Sequence, residues 1–470
     1  MSVRDSVKEL RESNLDLQPL WRAQWIWDEG DRVEANTYAY FRRVFFVEKS
    51  PKRAMLHITA DTQYRVWINC EEIGGGPVAE DPRWQSYDSY FVQNYLRQGD
   101  NAIAVLCYYS GVGTGGDLYG INISRRASAQ KRASHDSRPG FLCQLEYGVW
   151  GKNTIVASDR NWKACVSRCW EQDVPTIDDR SFVEIYDAAN EPVGWKSHEF
   201  DDSSWGGVVV LTGQQGLLGC NVDPSKTINF PWCMLELRDI PYLKSRKITP
   251  KALITCGEVI ERSVPGKNEN IALRMSLEGL EESKFTRIES CEALVSGGEI
   301  RIIPFDHNTS YDDFSGVRSA TMILDFGELF NGRLQLDIQA PGGGMVDIAY
   351  AQRLVNGRPE IYTSRLSAAD RYITKEGSQT WQSFDWRHFR YIQLTFRNLL
   401  LPLQLNNLTA VAEEYDAEKT GHFECDNEVL NWLWNAGVET TRVCTHDRYM
   451  DCARERRQHI SDVSDKTVTG

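Results

Sequence analysis

Tyr64-Arg65-Val66-Trp67-Ile68 places large apolar side chains in two-residue alternation, and Asn69-Cys70-Glu71-Glu72 follows at once. Successive side chains of a strand point to opposite faces, so this stretch reads as a strand running into a turn. Working outward, Gly99-Asp100 opens a second such run, Asn101 to Leu106, while Gly74-Gly75-Gly76-Pro77 and Gly111 to Gly116 mark loops. Strands at short spacing with almost no long helix from Trp21 to Tyr109 predict an antiparallel sandwich. After a Ser-, Lys- and Arg-rich linker from Ala127 to Gly140, strand-like runs resume at Phe141. A third β-rich block follows Pro231 and includes Ala320 to Asp325, Gly332 to Gln339 and Tyr391 to Phe396. Gly342-Gly343-Gly344 lies between strands rather than before a helix, so a hairpin connection is expected there and not a nucleotide loop.

The period changes at Asp426. Apolar residues then recur at Val429, Leu430, Leu433, Trp434, Val438 and Thr441, the spacing of one helical face, with Asp426 or Asn427 as N-cap. The expected fold class is mainly β, with tandem antiparallel, jelly-roll-like sandwiches followed by a short helical segment. The divisions expected are a polar leader (1–20), a first sandwich (21–135), a second β module (136–222) that is either carbohydrate-binding or continuous with the first, a further sandwich (223–412) and a helical segment (413–470).

Composition narrows the function. The 470 residues are 41% hydrophobic and 25% charged, as in soluble globular proteins of several domains. The 53 basic and 66 acidic residues leave a net charge of -13, which repels a phosphate backbone and argues against nucleic-acid binding. The basic run Arg125, Arg126, Lys131 and Arg132 reads as a solvated linker. Residues 1–20 lack the apolar stretch of a signal peptide and no run long enough to span a bilayer occurs, so the expected compartment is the cytoplasm, with no membrane partner. Twelve cysteines without a tight framework read as reduced thiols. Neither Cys165 with Cys169, nor Cys444, His446, Cys452 and His459, has paired zinc-type spacing. The 15 Trp, 19 Tyr and 17 Phe suit sandwich cores or sugar-stacking platforms, and Trp84, Trp195 and Trp205 are expected in packing.

The densest chemistry is Asp451-Cys452-Ala453-Arg454-Glu455-Arg456-Arg457-Gln458-His459-Ile460-Ser461-Asp462, directly after the helical pattern. Carboxylates interleaved with arginines form either an exposed ion-paired segment or an acid–base site. Phe423-Glu424-Cys425-Asp426, Leu430 to Trp434, Tyr449-Met450-Asp451-Cys452 and Arg454-Glu455-Arg456 together resemble the opening of the catalytic domain of bacterial α-L-rhamnosidases. Upstream, Trp25-Ile26-Trp27, Phe41-Arg42-Arg43, Glu184 to Ala188, Gly194-Trp195, Asp201 to Trp205, Arg238 to Pro241, Asp325 to Glu328, Asp370-Arg371-Tyr372 and Phe389-Arg390-Tyr391 follow the family's order.

The resemblance implies N-terminal β-sandwiches, an (α/α)6 catalytic barrel and inverting hydrolysis of terminal α-L-rhamnosides, with a rhamnose-containing glycoside as partner and no required cofactor. It assigns Glu455 as general acid, with Asp451 and Asp462 binding sugar hydroxyls and raising the pKa of Glu455. His459 and Ser461 stand where the family has Trp and Gly. The barrel is expected to be incomplete and its general base to have no counterpart before Gly470, leaving this chain inactive alone; the alternative is a non-catalytic carbohydrate-binding protein. Asp187, near Asn190 and Glu191, is a candidate for a calcium-assisted sugar site or a solvated acidic turn.

Overall fold

The computed structural model describes residues 19–30, 34–78, 84–111, 139–149, 152–177, 181–211, 234–263, 270–281, 287–304, 317–363, 366–452 and 457–458. The chain divides into two compact units, Met1–Ser167 with Pro192–Pro241, and Arg168–Glu191 with Tyr242–Gly470. Residues 168–191 thus belong to the second unit although the chain returns to the first at Pro192.

In the first unit, the described strands form two sheets. One runs Val208–Val210, Ile26–Asp28, Gly140–Val149, Arg53–Asp61, Trp84–Phe91, Met234–Leu237, with Lys152–Ala157 beside Gly140–Val149. The other runs Lys163–Val166, Thr37–Val47, Gly99–Tyr109, Gln63–Ile68, Glu71–Gly76. Pairing is antiparallel except between Met234–Leu237 and Trp84–Phe91. Phe41 of one sheet meets Phe141 of the other at 5.1 Å between ring centroids, and Trp27 at 5.3 Å, so large rings from both inner faces fill the core. The opening stretch behaves as its alternation demands. Gln63–Ile68 and Glu71–Gly76 are joined through Asn69 and Cys70, both at positive φ (51° and 73°), the conformation a two-residue hairpin requires. Asn69 fixes that turn: its Nδ2 donates to Asn101 Oδ1 (2.7 Å) and its Oδ1 accepts from Ala102 N (3.0 Å).

The second unit is organised by the 23-residue strand Arg318–Ala340. At about 3.3 Å per residue it is too long for one layer, and it changes neighbours along its length. Residues 318–325 lie between Ala252–Ile260 and Arg387–Arg397, whereas residues 332–340 pair with Leu403–Glu414 and Gly377–Gln382. The switch is an irregularity between Asp325 and Phe330, where Gly327 takes φ of +80°. Phe326, Phe330 and Phe389 are fully buried against one another at this bend.

The mainly β architecture followed by a helix is as expected, with two local differences. Gly342 to Gly344 is no hairpin turn: Met345–Ala351 pairs with Arg387–Arg397 and Ala369–Ile373, so Arg387–Arg397 lies between it and Arg318–Ala340. A glycine-rich connection encodes a reversal but not which strand is the neighbour. A seven-residue helix, Ile271–Leu277, also interrupts the strands, capped by Asn270 Oδ1 accepting from Leu273 N at 2.9 Å. Two turns are too short to establish a helical period in sequence. The long helix is Glu428–Val443, and Asn427 is its cap, accepting from Val429 N and Leu430 N. No helix among the described residues is long and apolar enough to cross a membrane.

Candidate functional site

The candidate catalytic segment begins where helix Glu428–Val443 meets the sandwich of the second unit. Asn331, on the long strand, donates from Nδ2 to the Val443 carbonyl at 2.7 Å, while its Oδ1 is 2.7 Å from His388 Nδ1. That bond satisfies a carbonyl left open at the helix C-terminus. Arg442 pairs with Glu414, which also receives Arg246 at 2.9 Å, and Arg246 reaches Glu328 at 2.8 Å. A chain of alternating charges therefore runs from the last helical turn across the sheet edge. Beyond the helix, His446 stacks on Trp386 at 4.9 Å and 29°, and Met450 is buried against Trp386 and Cys444. His446 Nε2 lies 3.7 Å from Glu413, which also pairs with Arg333. Met450 N donates to the Cys444 carbonyl at 2.8 Å, closing the loop that leads into strand Met450–Cys452.

Asp451 is thereby carried on a backbone strand paired with Arg457–Gln458. Glu455 and Asp462 lie outside the described residues, as do Arg125, Arg126, Lys131 and Arg132. Of the residues that place this segment, Asn331, Trp386 and Arg442 were not singled out by sequence reasoning, and His446 was considered there only as a metal ligand, not as a packing residue. Asp385-Trp386-Arg387 has no local period or motif, and its role depends on a partner 60 residues downstream.

Behind this surface is a buried charge network. Arg387 donates to both oxygens of Asp370 at 2.9 Å, to Asp385 at 3.1 Å and to the carbonyls of Phe182 and Trp386, with Glu184 at 3.7 Å. Glu184 in turn accepts from Asp385 N, Phe384 N and Trp170 Nε1. Burial pushes the Glu184 carboxyl up to about 7, a rise opposed by Arg387 and added to by Asp370. A neighbouring cluster joins Asp347 to Arg371 and Arg397, and Arg397 to Glu278. Burial alone would raise Asp347, but the two guanidiniums overcome it and hold the carboxylate below its ordinary range. The Glu184 to Ala188 and Asp370-Arg371-Tyr372 motifs are thus two sides of one ion-paired seam, which is also a parallel strand pair, Ile185–Asp187 with Ala369–Ile373.

Asp187 is the cap of the short turn Ala188–Asn190. Its Oδ1 accepts from Ala189 N and its Oδ2 from Asn190 Nδ2, both at 3.0 Å, while Glu191 faces Lys375 at 3.5 Å. No group of three His, Cys, Asp or Glu suited to a metal ion occurs among the described residues. Gly194-Trp195 belongs to the first unit, where another motif pair meets: the buried Arg42 guanidinium donates to Asp202 (2.8 Å) and to the Ser197 carbonyl (2.6 Å), 4.9 Å over the Phe200 ring. Burial lowers the Arg42 pKa and Asp202 opposes that shift. Trp195 and Trp205 pack on Tyr40 and are buried, as expected of packing residues; the Trp84 side chain lies outside the described residues. The Phe41-Arg42-Arg43 and Asp201 to Trp205 motifs are therefore two halves of one clamp.

Residues 49–228 match the model of the α-L-rhamnosidase N-terminal domain, and residues 315–412 that of the bacterial α-L-rhamnosidase concanavalin-like domain. The chain belongs to the bacterial α-L-rhamnosidase family. An α-L-rhamnosidase of Formosa agariphila is 23% identical over 439 residues, covering 91% of this chain and 37% of that protein. One from Alteromonas sp. (strain LOR) is 29% identical over 224 residues, covering 44% of this chain and 22% of its own length. The crystal structure of a GH78 family rhamnosidase of Bacillus sp. GL1 superposes with a TM-score of 0.72 at 20% identity, over 94% of this chain and 60% of that one. A Streptomyces avermitilis α-L-rhamnosidase complexed with L-rhamnose superposes at 0.59 and 20% identity, over 90% and 33%. At these identities the superpositions speak for the fold. The chain spans well under half the length of these curated relatives.

Proposed function

We propose that this chain is the sandwich-bearing part of a glycoside hydrolase that cleaves terminal α-L-rhamnosides with inversion. Glu455 gives its proton to the leaving oxygen, while Asp451 and Asp462 hold sugar hydroxyls and, as like charges, help Glu455 keep that proton. Inversion also needs a carboxylate that activates water on the opposite face of the sugar, and this reading assigns that base to no residue of the sequence. The observation that carries the proposal is the surface of helix Glu428–Val443. It leaves Val429, Trp432 and Leu433 exposed by 63%, 65% and 50% while its C-terminal end is fastened to the sandwich. Such an apolar face belongs against further helices, as in an (α/α)6 barrel.

The expected result is no measurable turnover of an aryl α-L-rhamnoside by the 470-residue chain, and turnover by a version extended through a complete barrel that Glu455→Gln abolishes. Turnover by the chain itself, lost in Glu455→Gln, would overturn the division of labour proposed here. L-Rhamnose binding by the sandwich around Asp187 is part of the same reading, supported by the exposure of Asn190 and the partial exposure of Asp187 and Glu191. Calcium takes six to eight oxygens, whereas both Asp187 oxygens are engaged and Glu191 faces a lysine. The donors do not fit that ion, and calorimetric heat with L-rhamnose should be unchanged by calcium and lost in Asp187→Ala. Absence of heat in the unaltered protein would leave the sandwich as scaffold.

A further inference from the structure

Cys256 lies in strand Ala252–Ile260 and Cys291 opens the short 3-10 turn Cys291–Ser296, at the same edge of the second unit. Their Sγ atoms are 3.0 Å apart across 35 residues of chain, and both residues are partly exposed. A disulfide bond needs about 2.05 Å, so closure requires about 1 Å of sulfur movement, within reach of small side-chain rotations. Cys107 and Cys143, by contrast, are fully buried in the first unit, where no oxidant reaches them without unfolding.

We propose that Cys256 and Cys291 are a dithiol site that a low-molecular-weight disulfide, such as oxidised glutathione, converts to an intrachain disulfide. Burial, with Cys291 and Glu292 adding to it, pushes the Cys256 thiol up to about 12, which makes it a poor first nucleophile. The first attack therefore falls to Cys291. Its thiolate displaces one thiol from the small disulfide and forms a mixed disulfide. Cys256 then loses its proton to solvent and attacks Cys291 Sγ, expelling the second thiol. Two protein thiols are oxidised and one small disulfide is reduced to two thiols. The bond would close a loop containing helix Ile271–Leu277 and Glu278, whose carboxylate receives Arg397. Constraining that loop in the unfolded chain raises the melting temperature. None of this depends on the hydrolase reading.

The test is to reduce and desalt the full chain, expose it to oxidised glutathione, and map thiols by alkylation and non-reducing peptide mass spectrometry. Expected are joint loss of the Cys256 and Cys291 thiols, a Cys256–Cys291 linked peptide, and a melting temperature raised by at least about 3 °C, reversed by dithiothreitol. Cys256→Ser should leave Cys291 as a stable glutathione adduct. Full alkylation of both cysteines after oxidant, a glutathione adduct that persists on Cys256 or Cys291 in the unaltered chain, or linkage of either to a different cysteine would each overturn the proposal.

Discussion

Replacing Trp386 by alanine tests whether the sandwich holds the candidate catalytic segment in place. Trp386 is nearly buried, stacks on His446 at 4.9 Å and covers Met450, one residue before Asp451. Truncating a buried Trp costs about 3–5 kcal/mol. Here much of that cost should fall on local docking, because Cys444, His446 and Met450, which the ring packs against, come from the segment after the helix. A loss of about 3 kcal/mol corresponds to a roughly 150-fold rise in the open population. Hydrogen exchange read by mass spectrometry should therefore show amides between Cys444 and Met450 exchanging about a hundredfold faster, with peptides from Arg318–Ala340 unchanged. Trp386→Phe, which keeps a ring for His446 and Met450, should lie much closer to the unaltered protein. Exchange altered less than about threefold would refute the reasoning, and so would equal acceleration in the long strand. The first would mean that Asn331 and Arg442 suffice to hold the segment; the second, that Trp386 acts on the whole unit.

Two further outcomes follow from the buried charges. Arg387→Met removes the guanidinium from Asp370, Asp385 and Glu184, and breaking a buried ion pair costs about 3–5 kcal/mol. For a unit of this size calorimetry should show melting lowered by roughly 6–20 °C, partly recovered when Asp370→Asn is added; a drop under about 2 °C would show that water already screens the cluster. Glu184 sets a pH dependence. Its carboxyl rises from an ordinary 4.5 to about 7 on folding, so the folded protein holds a proton that the unfolded chain releases in that window. Its contribution is complete below about 4.5 and lost as pH rises through about 7. Urea midpoints between pH 5 and pH 8 should fall more steeply for the unaltered protein than for Glu184→Gln, and parallel curves would remove Glu184 as the cause.

Much of this protein was legible in its residues because the decisive signals were local. Two-residue alternation at Tyr64 to Ile68 and the change of period at Asp426 each depend only on neighbours in sequence, and both elements form there, down to the Asn427 cap. The family motifs were likewise short and in order, enough for the family itself. What they do was not legible. Arg42 meets Asp202 across 160 residues and Glu184 N meets Asp370 across 186, and no spacing in the chain announces such pairs. The glycines at 342 to 344 specified a turn, but the neighbouring strand was chosen by the sheet. Asp187 offered a carboxylate in an acidic turn, and the fold spent both its oxygens on a cap. Periodicity is a property of one element's own backbone geometry. Which faces, charges and sulfurs meet is decided when those elements exclude water from one another, and only the tertiary structure holds that information.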